Sequence, residues 1–315
     1  GGFFIDPWRP VETALITHAH ADHARSGSQR YIATHLSEGV LRKRLGDCLP
    51  FEGVEYGEKI KLGHTWVSFH PAGHVLGSAQ IRVEHGDEVW VVSGDYKRCA
   101  DPTCAPFEVV PCQTFITEAT FGLPIYHWQP GAETGRAIYD WWQSDRDRPS
   151  LLFCYAFGKA QRILAELGQY SDRPVYVHGA IHSLTELYRQ LGVAMVPTIP
   201  ASEMPRDYKF NGDLVLAPPS GHRSSWMKRF PHPQTGFASG WMAVRGARRR
   251  GGYERGFVLS DHADWQGLVT TIQQTGAETV YVTHGQSDVL SRYLVEVCGI
   301  NAMPLTTLFE GESDI

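Results

Sequence analysis

Long apolar runs are missing from this 315-residue sequence, and cysteine is sparse. No stretch approaches the roughly 20 apolar residues that a membrane-spanning helix needs, which excludes such a segment. The first ten residues, GGFFIDPWRP, have neither the basic start nor the apolar centre of a secretory signal. Six cysteines are too few for a disulfide scaffold in a chain of this length. We therefore expect free thiols and a cytoplasmic protein.

Lysine is also scarce, since 22 of the 29 basic residues are arginine. The planar guanidinium of arginine binds phosphate in a bidentate manner more readily than an ammonium group does. The net charge of -5 argues against a nucleic-acid partner, but it is unevenly distributed. Residues 124–254 hold 16 basic and 11 acidic residues, whereas the remainder holds 13 basic and 23 acidic residues. The sequence therefore predicts a positively charged module joined to an acidic one.

The pattern of predicted strands and helices also changes near residues 124 and 254. Residues 1–123 contain short alternating strands such as TWVSFH at 65–70. Residues 124–254 alternate helices, predicted at 132–143 and 159–169, with short apolar strands, which is typical of a parallel α/β domain. Residues 255–315 return to apolar strands that end in a histidine-bearing turn. These three segments are the predicted domain divisions.

The strongest motif is the run THAHADHA at 17–24, directly after an apolar strand. It places His18, His20, Asp22 and His23 within six residues. Buried structural histidines rarely occur so densely, because each needs its own hydrogen-bond partner. Neutral imidazoles and carboxylates without thiolates suit Zn²⁺ or Mn²⁺ ions with open coordination positions. The run therefore predicts a metal site of the hydrolytic type.

A second metal ion needs further ligands at the ends of other strands. His74 lies in the turn HPAGHVLG, Asp95 ends the strand VWVVSGD, and His284 ends TVYVTHG. A carboxylate at Asp95 can bridge two ions, whereas Asp6 in FFIDP is better placed to orient a ligand than to bind metal itself. We therefore expect two divalent ions, Zn²⁺ and/or Mn²⁺.

These residues resemble the motif series of the metallo-β-lactamase fold. Glu118 in ITEATFG, His262 in LSDHADW and His284 in VTHGQ resemble motifs A, B and C of its nucleic-acid-processing branch, the β-CASP nucleases. The segments FIDPWRPVETALITHAHADHA, GDYKR and AFGKAQR are most similar to bacterial DNA-ligase-associated exonucleases. The resemblance covers essentially the whole chain. It implies an α/β protein in which an αββα sandwich is built from both chain ends, with a β-CASP α/β cap domain inserted at 124–254.

The resemblance also implies roles for individual residues. One ion would lie on His18, His20 and His74, a second on Asp22, His23 and His284, and Asp95 would bridge the two. His262, paired with Glu118, would lie on the insert side of the site. Because the two ions already have their protein ligands without His262, we expect it to supply a proton to the departing sugar oxygen. The catalytic residues implied are thus Asp22, Asp95, Glu118 and His262. Artemis-type DNA nucleases lack a motif C histidine and RNA-processing members have one, so His284 leaves DNA and RNA both open.

Three segments of the predicted insert have compositions typical of phosphate binding. They are Lys159 and Arg162 at a predicted helix start; Ser220, His222, Arg223 and Ser224 after a strand; and the run Arg248, Arg249 and Arg250. An ordinary strand-to-helix turn or a solvated loop explains each segment as well.

The sequence thus predicts a binuclear metal-dependent phosphodiesterase. We expect a DNA exonuclease that trims DNA ends during repair, with a functional link to a DNA ligase and no membrane partner. An RNA-processing ribonuclease of the same branch is the nearest alternative. A small-molecule hydrolase of this fold would share the metal motif but would not need Glu118, His262 or a basic insert. A binding-only scaffold would have lost metal ligands, and this sequence has lost none.

Overall fold

The structure is a computed structural model that describes residues 2–128, 131–244 and 252–307. The chain divides into two compact units. Unit 1 comprises the described residues of Gly1–Ala100, Cys104–His127 and His262–Ser313, and unit 2 comprises those of Asp101–Thr103 and Trp128–Asp261. The sequence placed the divisions at 124 and 254, a few residues before those of the structure. None of the described helices is both long enough and apolar enough to cross a membrane.

Unit 1 contains two β-sheets, with strands numbered along the chain. The described strands of the first sheet are β1 (Phe4–Ile5), β2 (Thr13–Leu15), β3 (Arg30–Thr34) and β4 (Phe51–Val54), paired in parallel in that order. Those of the second are β5 (Ile60–Leu62), β6 (Thr65–Pro71), β7 (Ala79–His85), β8 (Glu88–Val92), β9 (Thr114–Glu118), β16 (Thr279–Thr283) and β17 (Asn301–Pro304). Their order is β17-β16-β9-β8-β7-β6-β5. Strands β5 to β8 pair antiparallel, and the β8, β9, β16 and β17 pairs are parallel. Parallel pairing brings the carboxyl ends of β8, β9 and β16 to one edge of the sheet.

Period-two burial explains how the second sheet packs. Along β6, which lies between β5 and β7, Val67 and Phe69 are fully buried, whereas Trp66 is 42% exposed. Val67 and Phe69 join Leu15 and Ile32 of the first sheet in one apolar cluster, so the two sheets share a core. The residues of these strands alternate between two faces, as a sheet covered on one side by another sheet requires.

Two of the three described helices of unit 1 cover the opposite face of the second sheet. The helices of unit 1 are α1 (Glu38–Leu45), α5 (Trp265–Thr275) and α6 (Ser287–Glu296), numbered in chain order within the described residues. Leu268 of α5 and Leu290 of α6 pack with Val280 of β16 in a second apolar cluster. Helix α5 begins where the Asp264 carboxylate accepts the Gly267 N–H at 2.8 Å, which satisfies one of the free donors of the first turn. The layers are therefore sheet, sheet and helix, which confirms the predicted α/β class.

Unit 2 is a parallel α/β domain. Its described strands are β10 (Ser150–Phe153), β11 (Val175–Val177), β12 (Thr198–Pro200), β13 (Leu214–Ala217), β14 (Gln234–Ala238) and β15 (Arg255–Phe257), in the order β12-β11-β13-β10-β14-β15. Its helices are α2 (Gly131–Gln143), α3 (Lys159–Leu167) and α4 (Gly179–Gln190). Leu152 of β10 packs in the cluster with these helices, whereas its neighbours Leu151 and Phe153 pack in a cluster on the other face. The apolar runs of these strands are continuous because both faces of the sheet are covered.

Candidate metal centre

The loop that follows β2 carries the first group of site residues. His18 and His23 are buried at 1% and 4% exposure, and His20 and Asp22 are half-buried. Asp6, just after β1, fixes this loop, since its carboxylate accepts the Thr17 N–H at 2.8 Å and the Thr17 hydroxyl at 2.6 Å. The same carboxylate lies 2.7 Å from Nδ1 of His23. The structure therefore places Asp6 where it orients a histidine ring, so that Nε2 is turned toward the other site residues.

Asp95 lies at the centre of the site. Its Oδ2 atom is 3.4 Å from Nε2 of His18, 3.5 Å from Nε2 of His23 and 3.8 Å from Nε2 of His74. Its other oxygen, Oδ1, is 3.9 Å from Nδ1 of His284. The two oxygens of one carboxylate thus meet four histidines that come from three separate loops. This is the arrangement that suits a carboxylate shared by two ions.

Ligand atoms gather in overlapping groups around this carboxylate. His18, His20, His74 and Asp95 each offer one atom within 4.8 Å of the others, and so do His23, Asp95 and His284. Asp22 lies beside the second group, with Oδ2 3.7 Å from Nε2 of His23. The structure therefore brings together every residue that the sequence nominated as a metal ligand.

Unsatisfied polar atoms show that these residues fit metal ions. Nε2 of His18, Nε2 of His23 and Oδ1 of Asp95 are buried and have no hydrogen-bond partner among the described residues. Leaving such groups without a partner is costly, so native proteins seldom do it. Divalent cations held between imidazole nitrogens and carboxylate oxygens would satisfy all three atoms. The donor set, without thiolates, is that of hydrolytic metal sites.

Burial and neighbouring charges move the pKa values of these groups in different directions. Burial, together with the nearby imidazoles, lowers the pKa of His18 and of His74 well below the ordinary histidine value. Burial also disfavours the charged form of His23, but Asp95 and Asp6 outweigh it and raise the pKa of His23 well above that value. Despite its own burial, Asp95 has a pKa held well below the usual range by His23 and His18. His18 and His74 are thus neutral, the form that binds metal, in a field that favours cations.

Two backbone features hold the site in shape. Asp6 and His284 have φ angles of 45° and 59°, a left-handed conformation that costs free energy in residues other than glycine. Gly94, just before Asp95, has a φ of 55°, and a Cβ atom there would lie 2.6 Å from Cβ of Thr17. Only glycine allows the end of β8 to pass so close to the loop that carries the histidines.

Glu118 and His262 form a buried pair beside Asp95. Glu118 is the last residue of β9, and its two oxygens lie 3.0 and 2.9 Å from Nδ1 of His262. The Glu118 carboxylate also accepts the Tyr96 N–H at 2.8 Å, which fixes its orientation. The His262 and His74 rings are 4.7 Å apart between centroids. Asp95, Glu118 and His262 also form a group that could hold a metal ion, so geometry alone gives His262 two possible roles.

The predicted phosphate-binding residues of unit 2 lie in different environments. Lys159 and Arg162 are each 3% exposed and belong to a buried ion-pair network. Nζ of Lys159 is 3.3 Å from the Asp261 carboxylate, and Nε of Arg162 is 2.9 Å from that of Glu166. Nη1 of Arg162 donates to the Ser260 carbonyl at 2.9 Å. These contacts give both cations a role inside unit 2, so we leave them out of any nucleic-acid surface.

The other phosphate candidates are less buried. Ser220 and Arg223 are exposed, and His222 and Ser224 are half-buried. The Ser224 hydroxyl donates to the Gly221 carbonyl at 2.8 Å and accepts the Trp226 N–H, so it caps a short 3₁₀ turn. Arg248, Arg249 and Arg250 lie outside the described residues. For these residues phosphate binding stays a prediction.

Sequence reasoning missed several residues that shape the site. Thr17 links Asp6 to the histidine loop, but a threonine at a strand end carries no recognisable signal. Asp101 and Asp261 neutralise Arg162 and Lys159 from distant parts of the sequence. Only the position of Asp261, adjacent to His262, could have drawn attention to it.

Comparison with known proteins places these residues in a family. No family model matches the chain. The Probable DNA ligase of Opitutus terrae is 31% identical over 296 residues, which cover 90% of this chain and 28% of that protein. The Endoribonuclease YSH1 of Yarrowia lipolytica is 26% identical over 196 residues, 51% of this chain and 24% of that protein. The chain therefore spans about a quarter of the length of these curated relatives.

A solved structure supports the fold independently. The crystal structure of a protein of unknown function from Enterococcus faecalis V583 aligns with a TM-score of 0.65 over 94% of this chain and 79% of that one. Their sequences are only 12% identical, so the likeness concerns the fold alone. The sequence relatives, together with the histidine and carboxylate motifs, make this chain a homologue of the β-CASP nucleases of the metallo-β-lactamase fold.

Proposed function

We propose that this protein is a metal-dependent nuclease that hydrolyses phosphodiester bonds, and that its substrate is a DNA end. The observation that carries the proposal is the position of Asp95, whose carboxylate meets both histidine groups and lies beside the Glu118–His262 pair. Such a site combines ligands for two cations with a separate proton-transfer residue. Both contribute to metal-assisted hydrolysis of phosphodiesters.

The ligands divide into two sets around Asp95. His18, His20 and His74 would hold one ion, and Asp22, His23 and His284 would hold the other. Divalent ions in such sites activate water for attack and neutralise the charge of the scissile phosphate. Asp6 contributes by holding the His23 ring in one orientation, and Asp95 by serving both sets at once.

We assign His262 as the general acid rather than as a metal ligand. The two sets already supply three protein ligands each besides Asp95. The departing sugar oxygen needs a proton, and an imidazole is suited to give one near neutral pH. Because Nδ1 of His262 is hydrogen-bonded to Glu118, the proton is transferred from Nε2. Glu118 positions the ring for this step.

Similarity favours DNA as the substrate. The relative that matches 90% of this chain is a longer protein named as a probable DNA ligase. A nuclease that trims a DNA end would prepare the substrate that a ligase joins. We therefore propose a role in DNA repair alongside a ligase. The unequal charge of the sequence supports a nucleic-acid substrate, since residues 124–254 are net positive.

A ribonuclease is the second candidate. His284, which corresponds to motif C of RNA-processing members, contacts Asp95, and the match to Endoribonuclease YSH1 covers half of the chain. A small-molecule hydrolase of the same fold is less favoured, because it would have no use for the Glu118–His262 pair.

One experiment tests the proposal and separates the candidates. End-labelled single-stranded and double-stranded DNA and RNA of one sequence are incubated with the protein in Mn²⁺ or in Zn²⁺. We expect stepwise shortening of DNA from one end, at a rate well above that on RNA. Asp95→Ala, purified in the same way, controls for contaminating nucleases and should leave every substrate intact.

The outcomes are distinct. Faster cleavage of RNA would replace the DNA substrate by the ribonuclease candidate, and internal cuts would contradict the exonuclease mode. Cleavage by Asp95→Ala at the wild-type rate would show that the activity does not come from this site.

A further inference from the structure

A cavity of about 540 Å³ opens next to one side of the metal centre, within unit 1. Its floor includes Asp22, His23 and His284, the residues proposed to hold the second ion. Its walls come from the segment around β1, from the ends of β8 and β9, and from the residues after β17. The cavity therefore begins at the proposed reaction site and extends away from it.

The walls are apolar and aromatic. They include Phe3, Phe4, Trp8, Ile116 and Leu305. No lysine or arginine of the described residues lines the cavity. A second phosphate of the substrate would therefore find no basic side chain in these walls. The chemistry of the walls suits a flat, uncharged group.

Trp8 has the features of a stacking platform. The Arg25 guanidinium lies over its ring, 3.7 Å from the centroid, and this holds the indole in place. Phe4 is 58% exposed although it belongs to β1, so its ring is available at the cavity wall. Phe3 and Ile5, by contrast, pack against the core between the two sheets and anchor the segment.

We infer that this cavity binds the nucleobase of a nucleotide that adjoins the scissile phosphate. The inference rests on the nuclease function proposed above and specifies how that site takes its substrate. The volume is of the size that ligand pockets of proteins have, and it exceeds what one base requires. If a phosphate lies at the metal centre, the attached nucleoside lies close to the aromatic walls of the cavity. Stacking on aromatic rings is tolerant of sequence, so the cavity would accept any base.

The test compares oligonucleotides that differ by one missing base. Substrates carry a tetrahydrofuran abasic residue at each position around the cleavage point, in the nucleic acid that the wild-type protein cleaves fastest. We expect one position at which the missing base raises KM by roughly 5- to 100-fold, the usual worth of one base stacked on an aromatic side chain. Trp8→Ala should abolish this discrimination, and Trp8→Phe should retain part of it.

Two further variants distinguish a loss of base binding from a folding defect. Phe4→Ala removes an exposed ring and should weaken the discrimination without unfolding β1. Trp66→Ala removes another exposed ring, 42% exposed on β6 and outside the cavity lining, and should leave the discrimination intact. Equal KM values for abasic and intact substrates at every position would overturn the inference, while cleavage itself would still support the proposed nuclease.

A binding measurement tests the base-binding cavity even if the proposed nuclease activity is absent. Titration calorimetry with a nucleoside 5′-monophosphate and with 2-deoxyribose 5-phosphate requires no turnover. We expect the nucleotide to bind at least 5-fold more tightly, and Trp8→Ala to equalise the two. Absence of cleavage with this preference intact would remove the nuclease function and keep the base-binding cavity. Equal binding of both ligands by the wild-type protein would remove the cavity proposal.

Discussion

Both carboxylate oxygens of Glu118 lie within 3.0 Å of Nδ1 of His262, so the pair is joined on the side of the ring that faces β9. If His262 is the general acid, His262→Ala should lower kcat by about 10²- to 10⁴-fold, the range that such catalysis contributes. Glu118→Gln should lower it less, because the ring keeps a hydrogen-bond partner. The measurement is kcat on an end-labelled substrate, with metal content determined on the same samples.

Metal content decides between the two roles of His262. A general acid can be removed without loss of metal, so His262→Ala should retain the wild-type amount. Loss of one ion on that substitution would make His262 a ligand, and near-wild-type turnover would give it no catalytic role.

Elemental analysis should find close to two divalent ions per chain. Asp95→Ala should lose most of both, since its carboxylate meets both histidine groups, whereas His18→Ala and His284→Ala should each lose about one. His64, an exposed histidine of the turn between β5 and β6, provides the matched control, and His64→Ala should keep both. A single ion in fully active protein would contradict the division into two sets.

Gly94→Ala should damage the site more than a comparable glycine substitution elsewhere. The new Cβ would collide with Thr17, and overpacking of this kind typically costs about 1–3 kcal/mol. Gly86 has a similar φ of 60°, but a Cβ atom added there would have no atom within 4 Å. Gly86→Ala therefore measures only the free-energy cost of placing alanine in a left-handed backbone conformation. Urea unfolding and metal content should show a larger loss for Gly94→Ala. Equal losses in the two variants would mean that the close approach to Thr17 is unimportant.

Replacement of Arg248, Arg249 and Arg250 by alanine should raise KM and flatten its dependence on salt. Each phosphate neutralised by a cation releases counterions, so removing contacts reduces the slope of log affinity against log salt. Arg292→Ala, which removes a 77% exposed arginine of α6, is the control and should leave the slope unchanged. A triple variant with the wild-type slope would show that this run does not touch the substrate.

Cys154 should resist alkylation in the native protein. Burial raises its pKa to about 12, so at pH 8 nearly all of the thiol is protonated and unreactive. Iodoacetamide followed by mass spectrometry should label the exposed Cys48 first and Cys154 only when the core of unit 2 opens in denaturant. Labelling of both at the same rate without denaturant would show that this core opens readily.

The metal ligands were predictable because their chemistry is concentrated in sequence. Four of them occupy the run at 18–23. Asp95 and His284 follow β8 and β16, whose ends parallel pairing brings to one edge, and His74 lies in the turn after β6. The strands were predictable from the alternation of apolar and polar residues. The strand predicted at 65–70, for example, forms β6 at Thr65–Pro71. Helix α2 was expected at 132–143 and forms at Gly131–Gln143.

Interactions between residues distant in sequence could not be predicted. Lys159 and Arg162 stand at a helix start, as phosphate-binding residues often do, but Asp261 and Glu166 bury them in ion pairs. The strand expected at 88–95 ends at Val92, because Gly94 must turn past Thr17. The cavity beside His284 is lined by residues within 3–23, 92–118 and 283–307, which are far apart in sequence. No local sequence pattern predicts it.

The pairing of β9 with β16 has a consequence for synthesis of the protein. These strands are neighbours in one sheet, yet all six strands described in unit 2 are translated between them. During translation, β9 therefore has an edge without its partner strand until β16 has been made. Such an unpaired edge is prone to association with other chains, whereas the strands of unit 2 can already pair with one another. Because His284 directly follows β16, the nascent chain cannot assemble its full ligand set until this late pairing is made.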